Sequence, residues 1–397
     1  MGATSSFLSL LSESATLAMT RRSRELSAKG LDIINLSLGE PDFDTPDFIK
    51  QAAIDGINEN YTHYMPVNGY ADLREAICHK FKRDNNIVYS PEQIVVSTGA
   101  KQSLANVILS LVNEGDEVIL IAPFWVSYLE QVKMVKGKPV IVETQLKDDF
   151  KISPEQLEKA ISPKTKLLLL NSPSNPTGSI YTKEELNELG KVLKKHEEVY
   201  ILSDEIYEHI NYGIPHHSLA SDPELFDRVI TVNGVSKAYA MTGWRIGFLG
   251  APDFIAKACT KIQGQFTSGA SSIAQRAALT AVKEDPSCVA DMVAEFKSRR
   301  DLMLSLLNEI PGLITNTPGA AFYIYPDVSS YYGKSYNDHQ INDSNDLCNF
   351  LLEVGHVALV PGEAFGTSSH IRLSYAASEK IIIEACKRIK HNLALLK

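Results

Sequence analysis

Between residues 93 and 262 the chain switches repeatedly between short apolar runs and longer segments with helical periodicity. This alternation limits the fold more than any other feature of the sequence. Residues 93–98, 117–122, 139–144, 166–170, 199–203, 228–232 and 244–250 read as strands. Residues 101–112, 124–135, 153–161, 182–196 and 253–262 read as helices. Ser153-Pro154-Glu155 is a good helix start, and Thr182 with Glu185 has capping-box spacing. Strands separated by helices imply right-handed crossovers and a mostly parallel sheet with helices on both faces. Ligands of such α/β sheets sit beyond the carboxyl ends of the strands. Those ends here carry Gly99-Ala100-Lys101, Pro123-Phe124-Trp125, the run 171–178, Asp204-Glu205 and Ser236-Lys237.

The pattern changes after residue 285. A long charged helix over 287–310 leads to Pro311-Gly312, and strands follow at 321–325 and 370–375. Residues 331–345, rich in Tyr, Asn, Asp and Ser, read as a surface loop. We therefore expect a large domain over 46–285 that carries those strand ends and binds the ligand, and a smaller α+β domain over 286–397. Residues 1–45 are expected to join the small domain and a dimer partner. A length of 397 residues suits two to three domains.

Composition excludes several functions. Lys and Arg number 39 against 48 Asp and Glu, a net charge of −9. With no basic tract to cover phosphates, nucleic acid is an unsuitable partner. Five scattered cysteines without a C-x-x-C pair indicate a reducing, cytoplasmic setting rather than disulfides or zinc. No apolar run approaches the ~18 residues of a membrane span. Residues 1–19 lack the basic start of a signal peptide. Met1-Gly2 with Ser6 formally fits an acylation pattern, but so short a pattern matches by chance. The sequons at Asn60 and Asn342 are expected to be idle, and His216-His217 to sit in a bland loop.

The strand ends hold the chemistry. A lone lysine is usually a solvated surface group, yet Lys237 directly follows a strand and has unusual company. Asp204 follows an apolar strand, where a carboxylate is costly unless paired. It is either a turn cap or the acid that keeps a pyridine nitrogen protonated, as pyridoxal phosphate requires. Tyr207 could bond that ring's oxygen. Arg245 and Ser236 could hold a phosphate, together with the helix start after Gly99. Trp125 could stack on the ring or belong to the core. A metal hydrolase built on Asp204, Glu205, Glu208 and His209 matches no H-E-x-x-H pattern. A nicotinamide enzyme would need a G-x-G-x-x-G turn after the first strand of the alternation, and none is there.

The fourteen residues from Gly234 to Gly247, GVSKAYAMTGWRIG, resemble the cofactor-lysine block of class I aminotransferases, pyridoxal-phosphate enzymes of fold type I. Further blocks agree in order: SLGEPDF at 37–43, Tyr64 ahead of GYADLR at 69–74, the run 171–178, SDEIY at 203–207 and RLSY at 372–375. The sequence is most similar to the bacterial-type aspartate aminotransferases of that class. The resemblance implies that Lys237 links the cofactor and moves the substrate proton, while Asp204 pairs with the pyridine nitrogen. It implies that Tyr207 and Asn175 meet the ring oxygen and that Trp125 stacks on the ring and borders the substrate. Ser236, Arg245 and the backbone of Ala100 and Lys101 would hold the phosphate, joined by Tyr64 from the neighbouring subunit of a homodimer. Arg372 would grip the substrate carboxylate, helped by Gly39 and Asn175. Lys101 would favour acidic substrates, and the segment Ser14-Ala15-Thr16 resembles one that closes on substrate. Aspartate with 2-oxoglutarate is the favoured pair, with prephenate or aromatic substrates, or a lyase of the same fold, as alternatives. The resemblance also implies cis bonds at Ala122-Pro123 and Asn175-Pro176.

Overall fold

The computed structural model describes residues 5–397, so the Met1-Gly2 start of the acylation pattern lies outside the described residues. Helix Ala15–Ala28 leads to a two-residue strand, β1 (Ile34–Asn35). The central sheet contains β2 (Ile94–Thr98), β3 (Glu117–Ala122), β4 (Lys138–Glu143), β5 (Thr165–Asn171), β6 (Tyr200–Asp204), β7 (Val229–Gly234) and β8 (Ile246–Gly250). Their spatial order is β2-β8-β7-β6-β5-β3-β4. Five consecutive strands from β7 to β4 pair in parallel, and β8 alone runs antiparallel to its neighbours β2 and β7. The exception has a local cause. A loop, not a crossover helix, joins β7 to β8, so the chain must turn straight back. That loop carries Lys237 and Arg245.

The inner strands read as continuous apolar runs because both of their faces are covered. Along β5, Leu168 and Leu170 enter the apolar cluster that holds Leu73, Ile77 and Ala277 of helices Ala71–Asn85 and Ser272–Lys283. Leu167 and Leu169 enter the opposite cluster, with Val107 of helix Ala100–Leu111 and Ile255 of helix Asp253–Phe266. Alternation of side chains along a strand produces this split. β4 pairs only with β3, and its Lys138 and Pro139 suit an edge. Both expected helix starts form capping boxes: Ser153 Oγ accepts from the Gln156 N–H at 3.2 Å, and Thr182 Oγ1 from the Glu185 N–H at 3.3 Å.

Downstream come helix Ala290–Asn308, β9 (Tyr323–Ile324), the hairpin β10 (Ser335–Tyr336) and β11 (His339–Gln340), and helix Ser344–Glu353. β12 (Val357–Ala358), β13 (Val360–Pro361), β14 (Ile371–Ser374) and helix Glu379–Leu393 complete the chain. β13, β14 and β9 form an antiparallel sheet, and β1 pairs in parallel with β12. A third apolar cluster gathers Met19 and Leu36 with Phe296, Leu351 and Ile389. It also takes in Ile206, Tyr207 and Ile210 from just after β6.

Three details depart from the sequence reading. Residues 331–345 are not a plain surface loop, because Tyr331 and Ile341 are buried and anchor the hairpin. The charged helix starts at Ala290, after a 3-10 turn over Pro286–Val289. A third cis bond, Ser172-Pro173, joins the expected Ala122-Pro123 and Asn175-Pro176. All five cysteines are free, and among the described residues no helix is long and apolar enough to cross a membrane.

Candidate active site

Asp204 is the last residue of β6 and is 4% exposed. Its Oδ2 accepts from the Tyr128 hydroxyl at 2.6 Å and its Oδ1 from the Ile206 N–H at 3.3 Å. Burial pushes the carboxyl up to about 6, against the pull of those two donors. Lys237 stands three residues beyond β7. Its ammonium donates to the Gly39 carbonyl and lies 5.9 Å from the Tyr207 ring centre. Burial pushes that amine down to about 8; Arg372 and Arg245 act in the same direction, while Glu40 and Asp204 oppose. One cleft therefore holds an amine that is easier to deprotonate than usual and a carboxyl that is harder to ionise.

Arg245 adopts a left-handed backbone, φ 57°, and its Nη1 donates to the Thr242 carbonyl at 2.9 Å. It packs on Gly99, where an added Cβ would stand 2.3 Å from the guanidinium. Gly99 also has φ 79°, a left-handed backbone that favours glycine, and its missing side chain leaves room for the guanidinium. Gly247 lets β8 approach the start of helix Ala100–Leu111, since a Cβ there would stand 2.1 Å from the Ala100 nitrogen. The Gln102 N–H donates to the Gly99 carbonyl at 3.0 Å, while those of Ala100 and Lys101, at the very start of that helix, suit an anion beside Arg245 and Ser236.

Arg372, on β14, is 2% exposed. It donates to the Ser37 carbonyl at 2.7 Å and to Asn175 Oδ1 at 3.0 Å, and lies over the Tyr323 ring at 4.5 Å. Its Nε has no hydrogen-bond partner among the described residues. A buried donor left open in this way calls for an acceptor. Asn175 is fixed through Asn171, whose side chain accepts from the Asn175 N–H and donates to the Asp204 carbonyl. The Tyr207 hydroxyl meets that of Tyr323 at 2.9 Å. Trp125 is edge-on to Tyr128 at 5.4 Å, with the Lys101 ammonium 5.0 Å from its ring. Burial, then Arg245, lowers the Lys101 pKa.

These groups surround a cleft of about 630 Å³. Gly39, Ala100, Lys101, Trp125, Asn175, Asp204, Tyr207, Ser236, Lys237, Arg245 and Arg372 all line it, as do Ser14 and Thr16. Tyr64 does not, and is 96% exposed. Sequence reasoning missed Tyr128, Tyr323 and the role of Asn171. Tyr128 stands one helical turn after Trp125, a spacing that could have pointed to it. Nothing near Tyr323 in the sequence marks it.

The hydrolase grouping does not assemble. Glu208 clusters with Asp84 and His209, and with Glu205 and His216, but Asp204 joins neither cluster. The Lys80 ammonium pairs with Glu208. His216 is not the bland loop residue expected: its side chain is 7% exposed, with Nε2 3.0 Å from Glu205 Oε2.

The family described as aminotransferase class I and II matches residues 31–389 of this chain. The chain belongs to the class I and II aminotransferases. Among curated relatives of the family, a probable aspartate/prephenate aminotransferase of Rhizobium leguminosarum is 48% identical over 96% of both chains. A bifunctional aspartate aminotransferase and glutamate/aspartate-prephenate aminotransferase of Petunia hybrida is 46% identical over 97% of this chain and 81% of its own length. Among solved structures, the aspartate aminotransferase of Rhizobium meliloti superimposes over all of both chains with a TM-score of 0.96 at 41% identity. That of Thermus thermophilus, solved with maleate, covers 99% of this chain and all of its own with a TM-score of 0.92 at 39% identity. The fold is thus that of these aminotransferases, a large mixed sheet flanked by helices.

Proposed function

We propose that the protein transfers the amino group of L-aspartate to 2-oxoglutarate, giving oxaloacetate and L-glutamate, with pyridoxal phosphate as cofactor. One observation carries this reading: a depressed amine, a buried acid and a carboxylate-binding guanidinium with an open Nε face one cleft. The donor set fits the cofactor. Lys237 would link it, Asp204 would meet its pyridine nitrogen, and Tyr207 with Asn175 its ring oxygen. Trp125 would cover its face. Ser236, Arg245 and the N–H groups of Ala100 and Lys101 would hold its phosphate. When bound, pyridoxal phosphate supplies an electron sink for the charge left on the substrate Cα.

The chain's own residues do the rest. Arg372 orients the substrate by its α-carboxylate, in a buried place where a bidentate pair is strong. Gly39 and Asn175 border that carboxylate. The Lys237 amine, with its pKa near 8, takes a proton from Cα and returns it elsewhere without waiting on bulk water. The cleft handles one substrate at a time, so ping-pong kinetics follow. Lys101 lines the same cleft as Ser14 and Thr16, with its ammonium over the Trp125 ring, and suits a second carboxylate. A homodimer is part of the proposal, with Tyr64 completing the partner's phosphate site, as are a cytoplasmic setting and the division into domains near residue 285.

Prephenate or aromatic substrates form the second reading, favoured by the names of the relatives. The test is to add single amino acids to the cofactor-loaded protein and follow its visible absorbance. Aspartate and glutamate should shift the band. A response to phenylalanine without aspartate overturns the specificity. Lys101→Ser is expected to raise KM for aspartate at least roughly tenfold, the loss of about one charged contact. Lys237→Ala should trap no cofactor with borohydride.

A further inference from the structure

The strongest buried charges that the cleft does not use lie behind it. Lys80 and Glu208 are each 3% exposed, form an ion pair and do not line the cleft. Burial opposes the Glu208 charge, yet Lys80, with His209 and His216, holds that carboxyl down at about 2. Such a pair adds little stability over well-packed apolar residues, because desolvation offsets the attraction. What distinguishes it is its connections. Glu208 Oε1 accepts from Asn233 Nδ2 at 2.7 Å, and Oε2 accepts from Asn85 Nδ2 at 2.7 Å. Asn233 Oδ1 accepts from the Gly234 N–H at 2.7 Å. The turn bearing Glu208 is itself stitched to β7, the Glu205 N–H donating to the Val232 carbonyl at 2.9 Å. Glu208 is four residues past Asp204 and one past Tyr207, while Asn233 is four residues before Lys237. One carboxylate therefore ties the segment bearing the acid to the segment bearing the amine. The last turn of helix Ala71–Asn85 is the third anchor.

We propose that Glu208, balanced by Lys80, is a positioning residue that fixes Lys237 relative to Asp204 and Tyr207. It touches neither substrate nor cofactor and acts only through the backbone it holds. The proposal rests on the reading of Lys237 as the cofactor-linking lysine.

Two variants test it. Lys80→Met/Glu208→Leu replaces the pair with apolar bulk, and Asn233→Ala keeps the pair but cuts its tie to Gly234. Both should bind pyridoxal phosphate and be trapped by borohydride. The double variant leaves the buried Asn85 and Asn233 amides without their acceptor, so it should melt earlier than the parent, and its spectra and kinetics are read below that melting temperature. In both, the pH midpoint of the lysine-linked absorbance should move by roughly half a unit or more, and kcat should fall roughly tenfold or more with KM changed less than about threefold. Glu40, Arg372, Arg245 and Asp204, which face Lys237, stay in place, so the shift reports displacement of the lysine. Parent-like spectra and kcat in the variants overturn the proposal. Where the double variant does not fold, Asn233→Ala alone decides between the two outcomes. A parent protein without lysine-linked absorbance overturns the reading of Lys237, and the proposal with it.

Discussion

Tyr128 shows how one side chain sets the behaviour of another. Its hydroxyl is the strongest force keeping Asp204 ionised in a fully buried place. Removing it as Tyr128→Phe should raise the Asp204 carboxyl above its present value near 6. Cofactor affinity should then fall about tenfold near pH 6 and recover near pH 8.5, where the carboxyl is ionised in both proteins. Binding titrations at the two pH values check this, and an equal loss at both would remove Tyr128 from the account. The sign for stability follows from the same shift. A carboxyl raised in the fold binds more protons folded than unfolded between its ordinary pKa, near 3.8, and about 6. The Asp204 contribution to the stability of the cofactor-free protein therefore falls as pH rises through that window, and the variant extends the window upward.

Helix starts and strand ends do different work in this molecule. Thr182 and Glu185 exchange side-chain and backbone hydrogen bonds at the head of helix Lys183–Leu193, and neither lines the cleft. Thr182→Ala should lower stability by about 1 kcal/mol and leave kcat unchanged, as thermal melting and a steady-state assay can show. The cleft elements are shaped instead by close approach. Gly99 and Gly247 bring a helix start, a strand and the Arg245 side chain together where any Cβ would collide. Local propensity cannot produce such an arrangement; only the antiparallel return of β8 against β2 and β7 does.

At the scale of the molecule, residues 205–210 carry the chain from the central sheet into the C-terminal cluster. Ile206, Tyr207 and Ile210 follow directly from the central sheet yet pack into the C-terminal cluster. The Ala321 N–H donates to the Ile210 carbonyl at 2.8 Å. Ile210→Ala should cost about 2–4 kcal/mol through the cavity it leaves. It should also separate the unfolding of the two halves, which tryptophan fluorescence and far-UV circular dichroism would report as transitions that no longer coincide. Coincident transitions in the variant would mean that Ile210 does not couple them.

The sequence by itself determined the mostly parallel sheet and the edge where Lys237, Asp204, Tyr207, Ser236 and Arg245 meet, because strand and helix periods are local properties and polar residues interrupt them at the strand ends; Gly39 and Arg372, which line the same cleft, were named only by the family resemblance. It also carried the resemblance on which the cofactor reading depends. Tertiary structure alone decided the rest. Tyr323 comes to Tyr207 and Arg372 from 116 and 49 positions away. The Glu208 tie closes between residues 85, 208 and 233. The hairpin within the polar run 331–345 is held by two buried anchors, Tyr331 and Ile341, that look no different from exposed residues until the core beneath them exists. Contacts of that range depend on strand pairings distant in sequence, such as that of β9 with β14, which no window along the chain records.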